Sequence, residues 1–345
     1  MSDVLYNSTF LKACRGEPTD FTPVWLNRQA GRYMPEYHAV KGDTPSLDFF
    51  KTPHLAAQAT CDAQRILGVD AAIMFADLLP ILEPMGLDLD YIPGVGPNIS
   101  NPVRTHADID NIRMTQSSDS MPYIGEVIRL IRQELPADIP LIGFGGAPFT
   151  LASYAIEGKG SRNYVFVKQM MYGDSSAWHG LMTKITNAVI DYMQYQIESG
   201  VQAVQLFDSW VGCLSPSDYR EYVMPHSQRM LEAISGKVPV IHFGTGNPAL
   251  CELMAEAGGD VIALDWRTPL VETWDKMGVK AVQGNLDPIV LCSTVDAVKA
   301  QAKRLLDEVN GRPGHIFNLG HGIIPETPVE NVKALVDFIH EYTAR

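Results

Sequence analysis

The sequence predicts an α/β fold, a (β/α)8 TIM barrel built as a single domain over residues 1–345 with insertions at the C-terminal rim of the strands. Short apolar runs rich in β-branched residues alternate with longer stretches of helical period, the mark of parallel strands joined by crossover helices. Eight such runs can be counted. The first leads into Arg28-Gln29-Ala30-Gly31-Arg32, not into the G-x-G-x-x-G turn that opens a doubly wound sheet. Length alone would allow two domains. Barrels of this kind commonly run long as one unit, however, and no linker or internal repeat divides the chain.

In chain order the expected strands are 22–27, 70–76, 139–144, 202–207, 238–243, 260–264, 280–283 and 315–319. The first is read from Pro23-Val24-Trp25-Leu26 and the second from Ala71-Ala72-Ile73-Met74-Phe75; the others repeat the same short apolar pattern. Between them lie amphipathic helices. The clearest spans 179–199, where Leu181, Ile185, Ala188, Val189, Tyr192 and Tyr195 recur at steps of three and four. The last, 329–342, repeats the pattern with Val332, Leu335, Val336 and Ile339. Two insertions depart from the minimal unit, at 80–118 and 158–174, and both follow strands, where loops reach the catalytic rim of a barrel.

Composition excludes several function classes. A hydrophobic share of 46% supplies one large core, while a formal net charge of −13 without any Lys/Arg run argues against nucleic acid. The same charge is awkward for an anionic ligand, but binding depends on local charge, so arginines must be concentrated at a site. No window reaches the ~18 apolar residues of a membrane span, and the start has no basic segment followed by an apolar one. A cytoplasmic protein with no membrane attachment is expected. Cys14, Cys61, Cys213, Cys251 and Cys292 form no C-x-x-C pair, so reduced thiols and no metal cluster are expected.

The residues that follow the strands are Arg28, Asp77, Gly146, Asp208 with Ser209, Gly244, Asp265, Asn285 and His321. Polar groups repeated at the C-terminal strand ends converge on one mouth, as an active site in a barrel requires. Arg28 and Arg32, with Gly31 between them, suit the gripping of several carboxylates, since guanidinium forks bind carboxylate in bidentate fashion. Each residue also has a plain structural role open to it. Arg28 and Arg32 could be ion-pair partners, Asp77 a loop cap, Tyr154 core packing, Ser209 a helix cap and His321 a turn histidine. No G-x-S-x-G elbow surrounds Ser209, so a hydrolase triad is a poor fit.

Three phrases are specific: Arg28-Gln29-Ala30-Gly31-Arg32-Tyr33-Met34-Pro35-Glu36-Tyr37, the run Gly143-Phe144-Gly145-Gly146-Ala147-Pro148-Phe149-Thr150-Leu151, and Asn318-Leu319-Gly320-His321-Gly322. With Phe75-Ala76-Asp77-Leu78-Leu79-Pro80 they closely resemble the uroporphyrinogen decarboxylases, from about Leu5 to Tyr342. The resemblance implies substrate contacts at Arg28, Gln29, Ala30, Gly31, Arg32, Asp77, Tyr154, Ser209 and His321, with Asp77 at the pyrrole nitrogens. It implies cofactor-free conversion of the four acetate side chains of uroporphyrinogen III to methyl groups, and a homodimer with facing mouths. Asp77 would act as an ionised carboxylate opposing positive charge on the ring, and Arg28 is one choice of proton donor. A guanidinium is a poor acid, so water, Tyr154 and His321 stay open for that role. Zinc-dependent methyltransferases of the same superfamily carry an H-x-C ligand pair; this chain has His242-Phe243-Gly244 instead.

Overall fold

A computed structural model describes residues 2–92 and 94–345. The parallel sheet expected from the alternating pattern is present with seven strands: β1 (Ala72–Ile73), β4 (Leu141–Gly146), β5 (Ala203–Asp208), β6 (Val240–Gly244), β7 (Val261–Ala263), β8 (Ala281–Gln283) and β9 (His315–Ile316). They pair in chain order, all in parallel, with helices such as Pro122–Glu134, Ser175–Ser199 and Val295–Val309 in the crossovers. Register is continuous from strand to strand, as in Ile142 opposite Ala203, Val204 opposite Val240, Ile241 opposite Val261 and Val282 opposite His315.

The expected first strand, 22–27, forms only one bridge, Val24 with Phe317. Hydrogen bonds nonetheless leave this segment on both sides. Trp25 N donates to Phe317 O (3.3 Å) and Phe317 N to Pro23 O (2.8 Å), while across the other edge Asp70 N donates to Val24 O (2.8 Å). The ladder stops there for local reasons. Pro23 has no N–H to give, and the N–H of Val24 goes to the Asp70 carboxylate at 2.7 Å.

The Ser175–Ser199 helix begins on Asp174, whose carboxylate accepts from Ala177 N, and ends on Gly200 in the left-handed region (φ 113°). Its expected apolar stripe is buried, with Tyr195 half-buried at the edge. The closing helix, Val329–Thr343, buries Val332, Leu335, Val336 and Ile339 as expected.

The sheet interior is not uniformly apolar. Trp25 Nε1 donates to Gln283 Oε1 (2.9 Å), Gln283 Nε2 to Gln205 Oε1 (3.0 Å), and Gln205 Nε2 to Asn27 Oδ1 (3.1 Å), all four residues being buried. Asn27 N in turn donates to Asn318 Oδ1 (3.0 Å). A buried polar chain fixes geometry, because breaking one link leaves a partner desolvated and unbonded. This one ends at the residue before Arg28.

The 80–118 insertion holds an antiparallel hairpin, β2 (Leu89–Ile92) with β3 (Gly96–Ile99), which the sequence pattern did not predict. Gly96, Pro97 and Asn98 are weak strand formers, so propensity hides it. The two insertions dock together, with Ile99 N donating to Gly158 O and Asn98 bridging Lys159. No helix among the described residues is long and apolar enough to cross a membrane.

Candidate active site

The segment after Leu26 turns sharply, with Gln29 N donating to Leu26 O (2.9 Å). The Gln29 side chain is buried and reaches inward, accepting from Leu26 N and donating to Ala71 O (3.1 Å) just ahead of β1. Tyr33 Oη donates to Gln29 O (2.7 Å) and locks the loop from its other end. Ala30 is buried as well. These two expected contact residues therefore offer a ligand backbone at most, while their side chains build the loop. Arg28 sits at φ 62°, an uncommon conformation for a non-glycine residue and a frequent sign of a functional constraint.

Arg28 and Arg32 are both exposed, and neither guanidinium has a hydrogen-bond or ion-pair partner among the described residues. The ion-pair role that the sequence left open is thus not the one they play. The Arg28 stem lies on Gly322, and the charges of Arg28, Asp265 and Arg267 all act on His321. Burial is the larger influence on His321; together with Arg28 and Arg267 it outweighs Asp265 and lowers the imidazole pKa. His321 is accordingly a neutral ring at pH 7, and neither nitrogen bonds to another described residue.

Asp77 follows β1 and is partly buried. Its Oδ1 accepts from Leu79 N (3.1 Å), the loop-cap role noted from sequence, and from Tyr91 Oη at 2.5 Å. Tyr91 belongs to β2 and packs edge-on to Phe50 (5.5 Å), so the unforeseen hairpin delivers a hydroxyl to this acid. Burial first, then the Asp77 charge, pushes the Tyr91 phenol pKa far up, which keeps it a proton-bearing donor.

Tyr154, on the Pro148–Glu157 helix, stacks on Trp210 with ring centroids 3.8 Å apart. Burial and the Asp77 charge push its phenol up to about 12, against the pull of Arg28. Tyr154 is therefore within electrostatic reach of both groups at once. Around this centre runs an arc of rings: Phe144, Phe207 and Phe243 from successive strands at 5.7 and 5.6 Å, then His321 and Trp266 at 6.5 and 6.2 Å. The three phenylalanines each close an expected strand (139–144, 202–207, 238–243). That recurrence is the signal by which sequence reasoning could have found them.

The remaining strand-end residues sort differently. Asp265 accepts from Thr245 Oγ1, Gly246 N and the Arg267 backbone and side chain, and Asn285 donates to Asp265 O and Thr268 O. Asp208 accepts from Thr150 Oγ1 (2.8 Å); its other oxygen is buried without a partner, and burial raises its pKa to about 7. Ser209 begins no helix, and its hydroxyl bonds to no other described residue. Some strand-end groups are thus consumed by loop architecture, whereas the side-chain polar atoms of Arg28, Arg32, Tyr154, Ser209 and His321 have no partner among the described residues. Among the described residues no three His, Cys, Asp or Glu side chains gather to hold a metal. The His242 ring faces the carbonyls of Met254 and Gly258 (3.2 Å each), away from the mouth.

A sequence profile described as uroporphyrinogen decarboxylase (URO-D) matches residues 5–342. The chain belongs to the uroporphyrinogen decarboxylase family. It is 50% identical over 340 residues to the uroporphyrinogen decarboxylase of Carboxydothermus hydrogenoformans, covering 98% of this chain and 97% of the relative. Identity to the same-named protein of Sorangium cellulosum is 52% over 333 residues, covering 96% and 95%. Membership in the uroporphyrinogen decarboxylase family makes the chain an enzyme, a carboxy-lyase of tetrapyrrole biosynthesis. A methyltransferase from Methanosarcina mazei superposes with a TM-score of 0.79 over 97% of this chain and 98% of its own, at 22% identity. A protein from Listeria monocytogenes described as a vitamin-B12 independent methionine synthase gives 0.60 over 96% and 98%, at 12% identity. Both share the fold with the uroporphyrinogen decarboxylase family; at such identities they say nothing about chemistry.

Proposed function

We propose that this enzyme converts the four acetate side chains of uroporphyrinogen III to methyl groups, giving coproporphyrinogen III and four molecules of carbon dioxide without a metal or organic cofactor. The observation that supports this reading is that the Asp77 carboxylate and the unpaired Arg28 guanidinium both act on Tyr154, with Asp77 held by Tyr91. Arginines alone would suit any polyanion. An acid among them suits only a ligand that brings N–H donors, or positive charge, to the centre.

Each turn of the reaction balances with one proton. Protonation of a ring carbon beside the acetate makes a cationic pyrrole; the bond to the carboxylate breaks and its electron pair flows into the ring, releasing carbon dioxide. A second protonation at the exocyclic carbon completes the methyl group, and loss of the first proton restores the ring. Asp77 accepts hydrogen bonds from the pyrrole nitrogens and opposes the developing charge, so its help grows toward the transition state. Tyr91 holds the acid in place. Arg28 and Arg32 grip carboxylates, with Arg28 at the reacting centre. Tyr154, Ser209 and the neutral His321 complete the contacts, and backbone groups of Gln29, Ala30 and Gly31 line the approach.

The architecture we propose around this site is a closed eight-unit barrel, the segment around Val24 acting as the eighth strand between β9 and β1, as a single domain over 1–345. Hydrogen bonds from that segment to Phe317 and to Asp70 support it. We further propose a cytoplasmic homodimer with no nucleic-acid partner. The test is anaerobic incubation of chelator-dialysed protein with uroporphyrinogen III, with products resolved by carboxylate number. Stepwise loss from eight to four carboxylates is expected. Unchanged substrate, or activity restored only by zinc, would overturn the reading.

A further inference from the structure

The proposed substrate carries eight carboxylates, and two unengaged arginines are few for it in a chain of net charge −13. Burial of acetate and propionate groups calls for further cations near the mouth. Arg267 stands four residues beyond β7, in Asp265-Trp266-Arg267. Its guanidinium lies over the Trp266 ring, 3.7 Å from the centroid, and Nη1 donates to Asp265 Oδ2 at 2.8 Å. Asp265 is almost fully buried and is held in turn by Thr245 Oγ1 (2.7 Å) and Gly246 N (3.1 Å). The arginine is thereby pre-organised through one of its five N–H donors, while its side chain remains 52% exposed. Nε and Nη2 have no partner among the described residues.

The loop is tied to the site. Trp266 meets His321 edge-on at 6.2 Å, Gly320 packs so closely on the Trp266 backbone that no side chain fits there, and the Arg267 charge bears on His321. We infer that Arg267 is a specificity-determining residue of the mouth that binds a peripheral propionate carboxylate of the tetrapyrrole; this rests on the function proposed above. The propionate assignment follows from position. Acetates must pass the centre at Asp77 and Tyr154 to react, whereas a half-exposed guanidinium on a loop meets the groups that stay at the rim. A contact to a group that does not react binds ground and transition states alike, so it acts on affinity and leaves turnover unchanged.

The experiment compares Arg267→Gln and Arg267→Lys with Arg28→Ala, reading KM and kcat for uroporphyrinogen III and the inhibition constant of coproporphyrinogen III, which keeps all its propionates. Thermal melts confirm that each variant is folded. Arg267→Gln is expected to raise KM and the inhibition constant alike, about five- to tenfold, with kcat within about twofold. The Lys variant, which keeps charge but loses the stack, should fall between. An unchanged inhibition constant with raised KM would overturn the propionate assignment. Unchanged values for both, alongside a weakened Arg28→Ala, would overturn the inference and leave the proposed function standing. No effect in any of the three would sink both.

Discussion

The Arg28 side chain lies directly across Gly322: a β-carbon built on Gly322 would fall 2.5 Å from Arg28 Cδ and 2.8 Å from its Cγ. The loop after β9 therefore sets where the first arginine of the 28–32 segment can point. Gly322→Ala is expected to displace the guanidinium without unfolding the chain, because Arg28 is exposed and can move. A shift of ~1 Å at a reacting centre can cost about a hundredfold. We expect Gly322→Ala to lose at least tenfold, and Arg28→Ala more than about thirtyfold, in kcat/KM. Steady-state kinetics near wild type for both would refute the carboxylate clamp.

Tyr91→Phe removes the 2.5 Å hydrogen bond to Asp77 and keeps the ring that packs on Phe50. Hydrogen bonds to charged groups are worth about 1.5–3 kcal/mol, so kcat should fall roughly ten- to a hundredfold with KM little changed. A rise in KM at constant kcat would mean that the hairpin serves binding and does not orient the acid.

Asp208 gives a pH signature of stability. Its folded pKa, raised by burial to about 7, lies above the ordinary carboxyl value, so between about pH 4 and pH 7 the folded chain holds a proton that the unfolded chain has released. Stability linked to this group is full below about pH 4 and lost progressively up to pH 7. Asp208→Asn mimics the protonated acid and should gain on wild type as pH rises, by a few kcal/mol at pH 8 and by about nothing at pH 4. Urea unfolding midpoints across this range test it; a gain constant with pH would show that burial of the charge is not the cause.

Much of this was legible in the sequence, and what was not had physical causes. Strand order and the stripes of the two long helices follow from apolar periodicity, which burial preserves. The ladder at Val24 stops short because Pro23 lacks an N–H and the Asp70 side chain takes that of Val24, neither of which a hydropathy pattern records. Arg28, Asp77, Ser209 and His321 could be read because each follows an apolar run in the sequence. Gln29, read as a contact residue, turned out to hold the loop, since only coordinates reveal that its amide meets Ala71 O. Tyr91 and Arg267 leave no mark in the pattern: one arrives on a hairpin of weak strand formers, and the other is held by its stack on Trp266 and its bond to Asp265.

Asp77 is proposed to supply charge, and not shape alone, to a cationic ring. Asp77→Asn keeps an acceptor and nearly the same volume but removes the charge, which is expected to cost about 3–4 kcal/mol in the transition state, two to three orders of magnitude in kcat. Asp77→Glu keeps the charge and moves it outward by one methylene. The decisive measurement is kcat for the first decarboxylation of uroporphyrinogen III by wild type, Asp77→Glu and Asp77→Asn under anaerobic saturation. Rates are expected to fall in that order. An Asn variant faster than the Glu variant at equal substrate affinity would contradict it, leaving geometry as the contribution of Asp77.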